Sequence, residues 1–187
     1  MRQIYLLSCS FVLFFSYFIG YSLPLCTIDY VYARPQNNRS LNINPKKASI
    51  YIHDGDTISV NNIRYRLYGI DAPEITQEYG RKAKQYIIRY HLHIKRISLL
   101  GKDSYGRILG IFYLNDGSTL QEKLLEEGLA ILYSQYCKEK ICSSWQQIES
   151  RAKEHSQGIW SLDDFISPAE YRRNKRIHHD SKNGSKR

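Results

Sequence analysis

Acidic residues are scarce in this sequence compared with basic ones. The 187 residues include 18 Asp and Glu against 27 Lys and Arg, which gives a formal net charge of +9 and an isoelectric point near 9.3. Such an excess of positive charge favours an acidic partner, and both nucleic acid and an anionic membrane fit that description. The charge alone does not separate these two classes of partner.

Cysteine is also scarce. Of the four cysteines, Cys9 and Cys26 lie in the apolar N-terminal segment, while Cys137 and Cys142 lie in the body of the chain. The pair in the body falls short of the four ligands of a structural zinc site, because the later histidines lie at no recognisable spacing from it. In an exported protein the same pair can form a disulfide, and the sequence leaves open whether it does.

The N-terminal segment has the composition of an export signal. Met1-Arg2 precedes an apolar run over residues 4–25, and Val31-Tyr32-Ala33 supplies the small or aliphatic residues of a cleavage site. We therefore predict that residues 1–33 are a signal peptide cut after Ala33, and that the protein is exported to the periplasm or the extracellular space. Two alternatives stay open: an uncleaved membrane anchor, and a lipoprotein attached at Cys26.

The rest of the chain divides by composition into three parts. Residues 34–48 are rich in Asn, Pro, Arg and Lys without periodicity, which predicts a linker. Residues 49–162 contain regular apolar patterns and are long enough to form one domain with its own core. Residues 163–187 are basic, and from Tyr171 onward scarcely any residue is apolar, which predicts a disordered tail.

The stretch from Asp54 to Glu74 places acids and an arginine at the ends of two predicted strands. Apolar residues alternate with polar ones over 58–60 and 63–67, and Asn61-Asn62 suits a tight hairpin turn with positive φ at both residues. This hairpin would bring Asp56 and Asp71 to the same end of a sheet. Their carboxylates are ligands that calcium accepts. The alternative interpretation is that the acids at 54 and 56 only form a turn.

Further elements follow along the chain. Patterning predicts strands over 49–53, 94–100 and 108–114, and helices over 79–91, 120–127 and 143–156, the second with a capping box of Thr119 and Glu122. In the loop between the last two strands, Arg107 is a candidate phosphate ligand and Tyr105 offers a flat surface for a base or sugar. The plain alternative makes this loop a simple turn with Tyr105 partly in the core.

In combination, residues 50–160 resemble the thermonuclease (staphylococcal nuclease-like) family. Any one of the matching phrases is weak, but six of them in this order are highly specific. They are Asp54-Gly55-Asp56-Thr57, Tyr65-Arg66-Leu67, Asp71-Ala72-Pro73-Glu74, Asp103-Ser104-Tyr105-Gly106-Arg107, Gly128-Leu129-Ala130 and Gly158-Ile159-Trp160-Ser161.

The resemblance implies a fold and an activity. The expected fold is α+β, mainly β, with a five-stranded OB-fold barrel and about three packed helices. The expected activity is that of a calcium-dependent endonuclease, which hydrolyses phosphodiester bonds of DNA and RNA and leaves 3′-phosphate ends. We expect a monomer without an obligate protein partner.

The resemblance also assigns a metal and water site. Asp56 and Asp71 match the family's calcium carboxylates, and Ala72 stands where a backbone carbonyl completes the site. Glu74 matches the acid that activates or orients the attacking water. Ala72 replaces a threonine of the staphylococcal enzyme, which matters little if only the carbonyl binds the ion.

Substrate contacts are implied in the same way. Arg66 and Arg107 match the two phosphate-binding arginines, while Tyr105 and Tyr133 match tyrosines that line the nucleotide pocket. The loops that flank the site are shorter than in the staphylococcal enzyme.

Two other classes of function compete with this prediction. One is an inactive nuclease-like OB module that only binds nucleic acid, which is disfavoured because all five acids and arginines of the site are present. The other is a basic envelope protein that binds anionic lipid through its tail and N-terminal segment.

Overall fold

The computed structural model describes residues 39–184. The predicted export segment, residues 1–33, lies outside the described residues, and with it Cys9 and Cys26. No helix within residues 39–184 combines the length and the apolar character needed to cross a membrane.

A six-stranded sheet forms the centre of the fold, in the order β1-β6-β7-β4-β3-β2. Its strands are β1 (Arg39–Asn42), β2 (Ile50–Ile52), β3 (Thr57–Val60), β4 (Ile63–Leu67), β6 (Ile94–Lys102) and β7 (Ile108–Leu114). Neighbouring strands run antiparallel except β4 and β7, which pair in parallel. A second, two-stranded antiparallel sheet joins β5 (Ile70–Asp71) to β8 (Ile131–Leu132).

Four α-helices accompany the sheets: α1 (Gly80–Tyr90), α2 (Leu120–Glu126), α3 (Cys142–Glu154) and α4 (Pro168–Gly184). The predicted capping box of α2 is confirmed. The Thr119 hydroxyl accepts a 3.1 Å hydrogen bond from the Glu122 N–H, and the Glu122 carboxylate accepts one of 2.6 Å from the Thr119 N–H. These bonds satisfy backbone donors that the first turn of a helix leaves free.

The core lies between the sheet and helices α1 to α3. Its largest fully buried side chains include Ile58, Tyr65, Leu67, Phe112, Leu125 and Trp145. Burial of one such side chain stabilises the fold by roughly 1.5 to 3 kcal/mol. Tyr65 and Leu67, on either side of Arg66 in β4, belong to this core.

The mixed α and β fold class is confirmed, and the architecture is consistent with the OB-like fold of the resembled family. Two details of the expectation need correction. Over the described residues the sheet has six strands rather than five and is not closed into a barrel. The helices number four in this range rather than about three.

The sixth strand comes from the predicted linker. Strand β1 pairs with the edge of β6, with Leu41 opposite Ile97, although its four residues are all exposed. An edge strand offers unpaired backbone N–H and C=O groups, and a polar segment can join it without an apolar pattern. The linker prediction for residues 34–48 is therefore wrong for 39–42.

The predicted disordered tail is also corrected. Most of residues 163–187 belongs to α4, which is almost devoid of apolar residues. Its polar contacts with the rest of the chain include two near the start of the helix: the Tyr171 hydroxyl donates to the backbone oxygen of Thr76 over 3.2 Å, and Arg172 binds two acids described below. Side-chain hydrogen bonds of this kind leave no periodic trace in a sequence.

Cys137 and Cys142 form a disulfide, with their Cα atoms 5.8 Å apart. This settles the question that the sequence left open. The bond closes the loop between β8 and α3, and Cys137 is buried in the core. The Tyr68 hydroxyl accepts a 2.6 Å hydrogen bond from the Lys138 N–H within the same loop.

Candidate active site

The β3–β4 hairpin brings the two aspartates together as predicted. Asn61 and Asn62 adopt φ values of +49° and +65°, the left-handed values that a tight hairpin turn requires. Asp56 precedes β3, and Asp71 ends β5. The Asp56 carboxylate accepts a 2.9 Å hydrogen bond from the N–H of Ala72, which directly joins the segments that carry the two acids.

Both aspartates are buried. Asp56 is 3% exposed and Asp71 is fully buried. A buried carboxylate is costly unless a cation or hydrogen-bond donors compensate its charge. Arg66 supplies part of that compensation: its guanidinium forms an ion pair with Asp56 and a 2.7 Å hydrogen bond with Asp71.

Arg66 therefore lies between the two acids. Its side chain is 14% exposed, and it also donates to the backbone oxygen of Ile70 over 3.3 Å. Burial lowers the pKa of the Arg66 guanidinium, the charge of Asp71 opposes this shift, and nearby Arg107 adds to it. Guanidinium remains protonated in proteins despite such shifts.

Glu74 lies on the turn that leads from the acids into α1. The Glu74 backbone oxygen accepts a 2.8 Å hydrogen bond from the Gln77 N–H. The first residue of α1 packs against the same oxygen, because a Cβ atom at Gly80 would overlap it. The turn is thereby fixed, while the Glu74 side chain remains 38% exposed and within reach of solvent.

Arg107 is placed by its own loop. Asp103 accepts from the Arg107 backbone N–H over 2.9 Å and from Nε over 2.7 Å. The parallel pairing of β4 with β7 sets Tyr65 opposite Ile108, so Arg107 enters the sheet beside the strand that carries Arg66. Of the two predicted phosphate ligands, Arg66 thus lies on β4 and Arg107 immediately precedes the neighbouring strand β7.

The predicted nucleotide-binding tyrosines lie on two different loops. Tyr105 is 82% exposed, and the Arg107 guanidinium lies 5.4 Å from its ring centroid. Tyr133 follows β8, donates its N–H to the Gly69 carbonyl over 2.8 Å, and has its ring 4.7 Å from that of Tyr136. The nucleotide-binding roles of Tyr105 and Tyr133 stay predictions.

Sequence reasoning missed one residue of this site, Arg172 on α4. Its Nη2 donates to Asp71 over 2.9 Å, and its Nη1 donates to Glu74 over 2.8 Å. Burial alone would lower the pKa of Arg172, but the hydrogen bonds to Asp71 and Glu74 outweigh it and raise that pKa above its ordinary value. No sequence signal distinguishes Arg172 from the other basic residues of the tail.

The donor set fits a hard divalent cation. Asp56, Asp71 and Glu74 offer only oxygen atoms, and Asp56 and Asp71 are buried. The three carboxylates carry one more charge than the two guanidinium groups, Arg66 and Arg172, that pair with them. Within residues 39–184 no group of three or more Cys, His, Asp and Glu side chains is arranged as a metal cage. A cation at this position would therefore need two carboxylates completed by a backbone carbonyl, such as that of Ala72, and by water.

A sizeable concavity lies away from these residues. About 700 Å³ of space is found along α1, lined among others by Lys82, Arg89 and Tyr90, and it includes none of the predicted site residues. The acids instead lie beside the guanidinium groups of Arg66 and Arg172. The site is therefore identified by its charged residues rather than by a cavity.

The sequence is similar to those of known proteins. The family described as staphylococcal nuclease homologue matches residues 64–162, a range that contains Arg66, Asp71, Glu74 and Arg107 but begins after Asp56. An uncharacterized endonuclease of Escherichia coli is 32% identical over 132 residues, which cover 67% of this chain and 84% of that protein.

Two plant proteins are similar over a smaller share of their length. A staphylococcal-like nuclease of Arabidopsis thaliana is 32% identical over 122 residues, covering 65% of this chain and 36% of that protein. An uncharacterized 38.1 kDa protein of Capnoides sempervirens is 35% identical over 124 residues, covering 66% of this chain and 36% of that protein. The chain thus spans 36% of the length of these two relatives.

Proposed function

The chain belongs to the staphylococcal nuclease homologue family, and we propose that it is a calcium-dependent endonuclease that hydrolyses DNA and RNA to 3′-phosphate ends. The observation that carries the proposal is the convergence of Asp56 and Asp71 on Arg66 at one end of the sheet, with Glu74 joined to Asp71 through Arg172. Family membership supports a nuclease; the metal, the substrates and the product ends are our proposal.

The acids and the arginines would divide the chemistry between them. Asp56, Asp71 and the Ala72 carbonyl would hold calcium, which supplies positive charge to the phosphate oxygens when it is bound. Glu74, whose carboxylate is half-exposed, would accept a proton from the attacking water or hold that water in line with the phosphorus.

The arginines would act on the phosphate. Attack by water adds negative charge to the phosphate oxygens, and guanidinium donors stabilise that charge best where they are held in place beforehand. Arg107 is held by Asp103 and Arg66 by the two aspartates. For 3′-phosphate ends to result, the bond that breaks joins phosphorus to the 5′ oxygen, which takes up a proton as it leaves.

The proposal is tested by incubating the full-length protein with single-stranded DNA or RNA, in calcium or in excess chelator. We expect release of acid-soluble nucleotides only in calcium. The DNA products should support polymerase extension only after phosphatase treatment, because a 3′-phosphate blocks extension. DNA binding without release would instead favour the inactive OB module, and unchanged activity in chelator would exclude the calcium assignment.

We also propose that the protein is exported and acts as a monomer. The Cys137–Cys142 disulfide supports export, since disulfides persist in oxidising compartments and are rare in the cytosol. N-terminal sequencing of the mature protein should begin at Arg34, whereas a start at Met1 would favour a retained anchor. Sedimentation of the purified protein should give the mass of one chain.

A further inference from the structure

Helix α4 covers the acids of the proposed site with one side chain. Arg172 donates to both Asp71 oxygens, over 2.9 Å from Nη2 and 3.2 Å from Nη1, and Nη1 also donates to Glu74 over 2.8 Å. A guanidinium that binds a carboxylate through two nitrogens makes a strong, oriented ion pair. The same carboxylates are those that we propose for calcium and for the attacking water.

Arg172 and a metal ion would compete for these oxygens. Asp71 is fully buried, and its Oδ1 already accepts from Arg66 over 2.7 Å. With Arg66 and Arg172 both bound, each oxygen of Asp71 points to a guanidinium nitrogen. A divalent cation placed beside Asp71 would also face the positive charge of Arg172 at close range, and charges at such a partly buried position are screened less by salt than exposed ones.

Two further polar contacts, both exposed to solvent, accompany those of Arg172 at the start of α4. Besides Arg172, Tyr171 donates to Thr76, and the Ile166 carbonyl just before the helix accepts a 2.6 Å hydrogen bond from Gln77. All of these partners lie on residues 71–77, and the contacts of Tyr171 and Ile166 are exposed to solvent. Exposed polar contacts contribute little net stability, so the partly buried ion pairs of Arg172 are the contacts that a competing ion must displace.

We propose that Arg172 is an internal competitor of calcium, which must displace it from Asp71 and Glu74 before the site can work. Arg172 therefore sets the calcium concentration at which the site fills, and α4 moves off the acids when calcium binds. The inference rests on the calcium site of the proposed function and adds a residue that controls it.

The neighbouring arginine provides a matched control. Arg173 pairs with Glu170 on the same helix over 3.5 Å and does not contact Asp71 or Glu74. Arg172→Ala and Arg173→Ala remove the same side chain and the same charge from adjacent positions of α4. Only the first removes the proposed competitor.

The test is the calcium dissociation constant of the full-length protein, measured by titration calorimetry. We expect Arg172→Ala to bind calcium about tenfold more tightly than the unsubstituted protein, since loss of a charge-assisted contact commonly shifts an equilibrium by about this factor. Arg173→Ala should stay within about twofold, as expected for an exposed pair. Equal or weaker binding by Arg172→Ala than by Arg173→Ala overturns the proposal, and so does an absence of calcium binding.

A second experiment measures how accessible α4 is to a protease. Calcium should accelerate trypsin cleavage after Lys175 and Arg176 in the unsubstituted protein, and sodium chloride at equal ionic strength should not. In Arg172→Ala the cleavage should be fast without calcium. A cleavage rate that calcium leaves unchanged contradicts displacement of α4.

Tyr171→Phe gives an independent variant should Arg172→Ala fail to fold. It loses only the hydroxyl bonds to Thr76, so it should tighten calcium binding by a smaller factor in the same direction. Unchanged calcium binding in a folded Tyr171→Phe protein would count against the proposal.

The outcomes separate this inference from the proposed function. If Arg172→Ala binds calcium more tightly, and neither this variant nor the unsubstituted protein has nuclease activity, the competition by Arg172 is supported and the proposed enzyme activity is refuted. Calcium-dependent activity with equal calcium affinity in the Arg172 and Arg173 variants would support the enzyme and refute the competitor.

Discussion

Arg66 donates a 2.7 Å hydrogen bond to the buried carboxylate of Asp71. The guanidinium that the sequence assigns to the substrate thus binds an acid that it assigns to a metal. Two buried carboxylates beside one another need positive charge, and Arg66 is the closest source on the sheet. In the proposed function, calcium and the phosphate would therefore both act on groups that Arg66 contacts.

Glu74→Gln tests the acid that handles the attacking water. The side chain is half-exposed and the substitution keeps its size, so we expect the same melting temperature but a rate of DNA hydrolysis lower by about a hundredfold or more. Glu78→Gln makes the same change at an exposed position four residues on, and it should leave the rate unchanged. Near-normal activity of Glu74→Gln would remove Glu74 from the mechanism.

Arg107→Ala tests the phosphate contact. Loss of one held donor should reduce kcat by about a hundredfold, on the order of 3 kcal/mol. Arg81→Ala, which removes an exposed arginine from α1, serves as the control and should lower kcat less than twofold. A variant in which only KM rises would instead give Arg107 a role in binding substrate before the reaction.

Gly80→Ala tests how closely α1 fixes the Glu74 turn. The new Cβ would overlap the Glu74 carbonyl oxygen, so we expect a loss of roughly 1 to 3 kcal/mol in the free energy of unfolding, together with lower activity. Gly117→Ala is the comparison, because its φ is +88° but nothing lies within 4 Å of the added methyl group. Gly117→Ala should lose stability through backbone strain and keep its activity. If both variants lose the same activity, Gly80 has no special role in fixing the Glu74 turn.

Reduction of the disulfide tests its contribution to stability. The bond joins residues five apart, and closing a loop of that size contributes about 2 kcal/mol in the chain-entropy account. A reducing agent should therefore lower Tm by about 5 °C in a thermal melt. The double variant Cys137→Ala with Cys142→Ala should melt at the lower temperature with or without the reducing agent, and a Tm shift in that variant would point to another cause.

Local sequence patterns predicted some elements of the fold and missed others. The Asn61-Asn62 turn and the α2 capping box follow from residues close together in the sequence, and both were predicted correctly. Strand β1 was not predicted, because its four exposed residues join the sheet through backbone groups that any sequence possesses.

The contacts of the candidate site likewise include some that local sequence predicts and some that only the tertiary fold creates. The sequence by itself determined that Asp56 and Asp71 lie at the same end of the sheet, since hairpin geometry and alternation act over a few residues. Only the tertiary structure decided that Arg172 binds Asp71 and Glu74, about a hundred residues away along the chain. The reason is physical: an ion pair between distant segments depends on where the fold places two charges, and Arg172 carries the same charge in the sequence as its basic neighbours on α4.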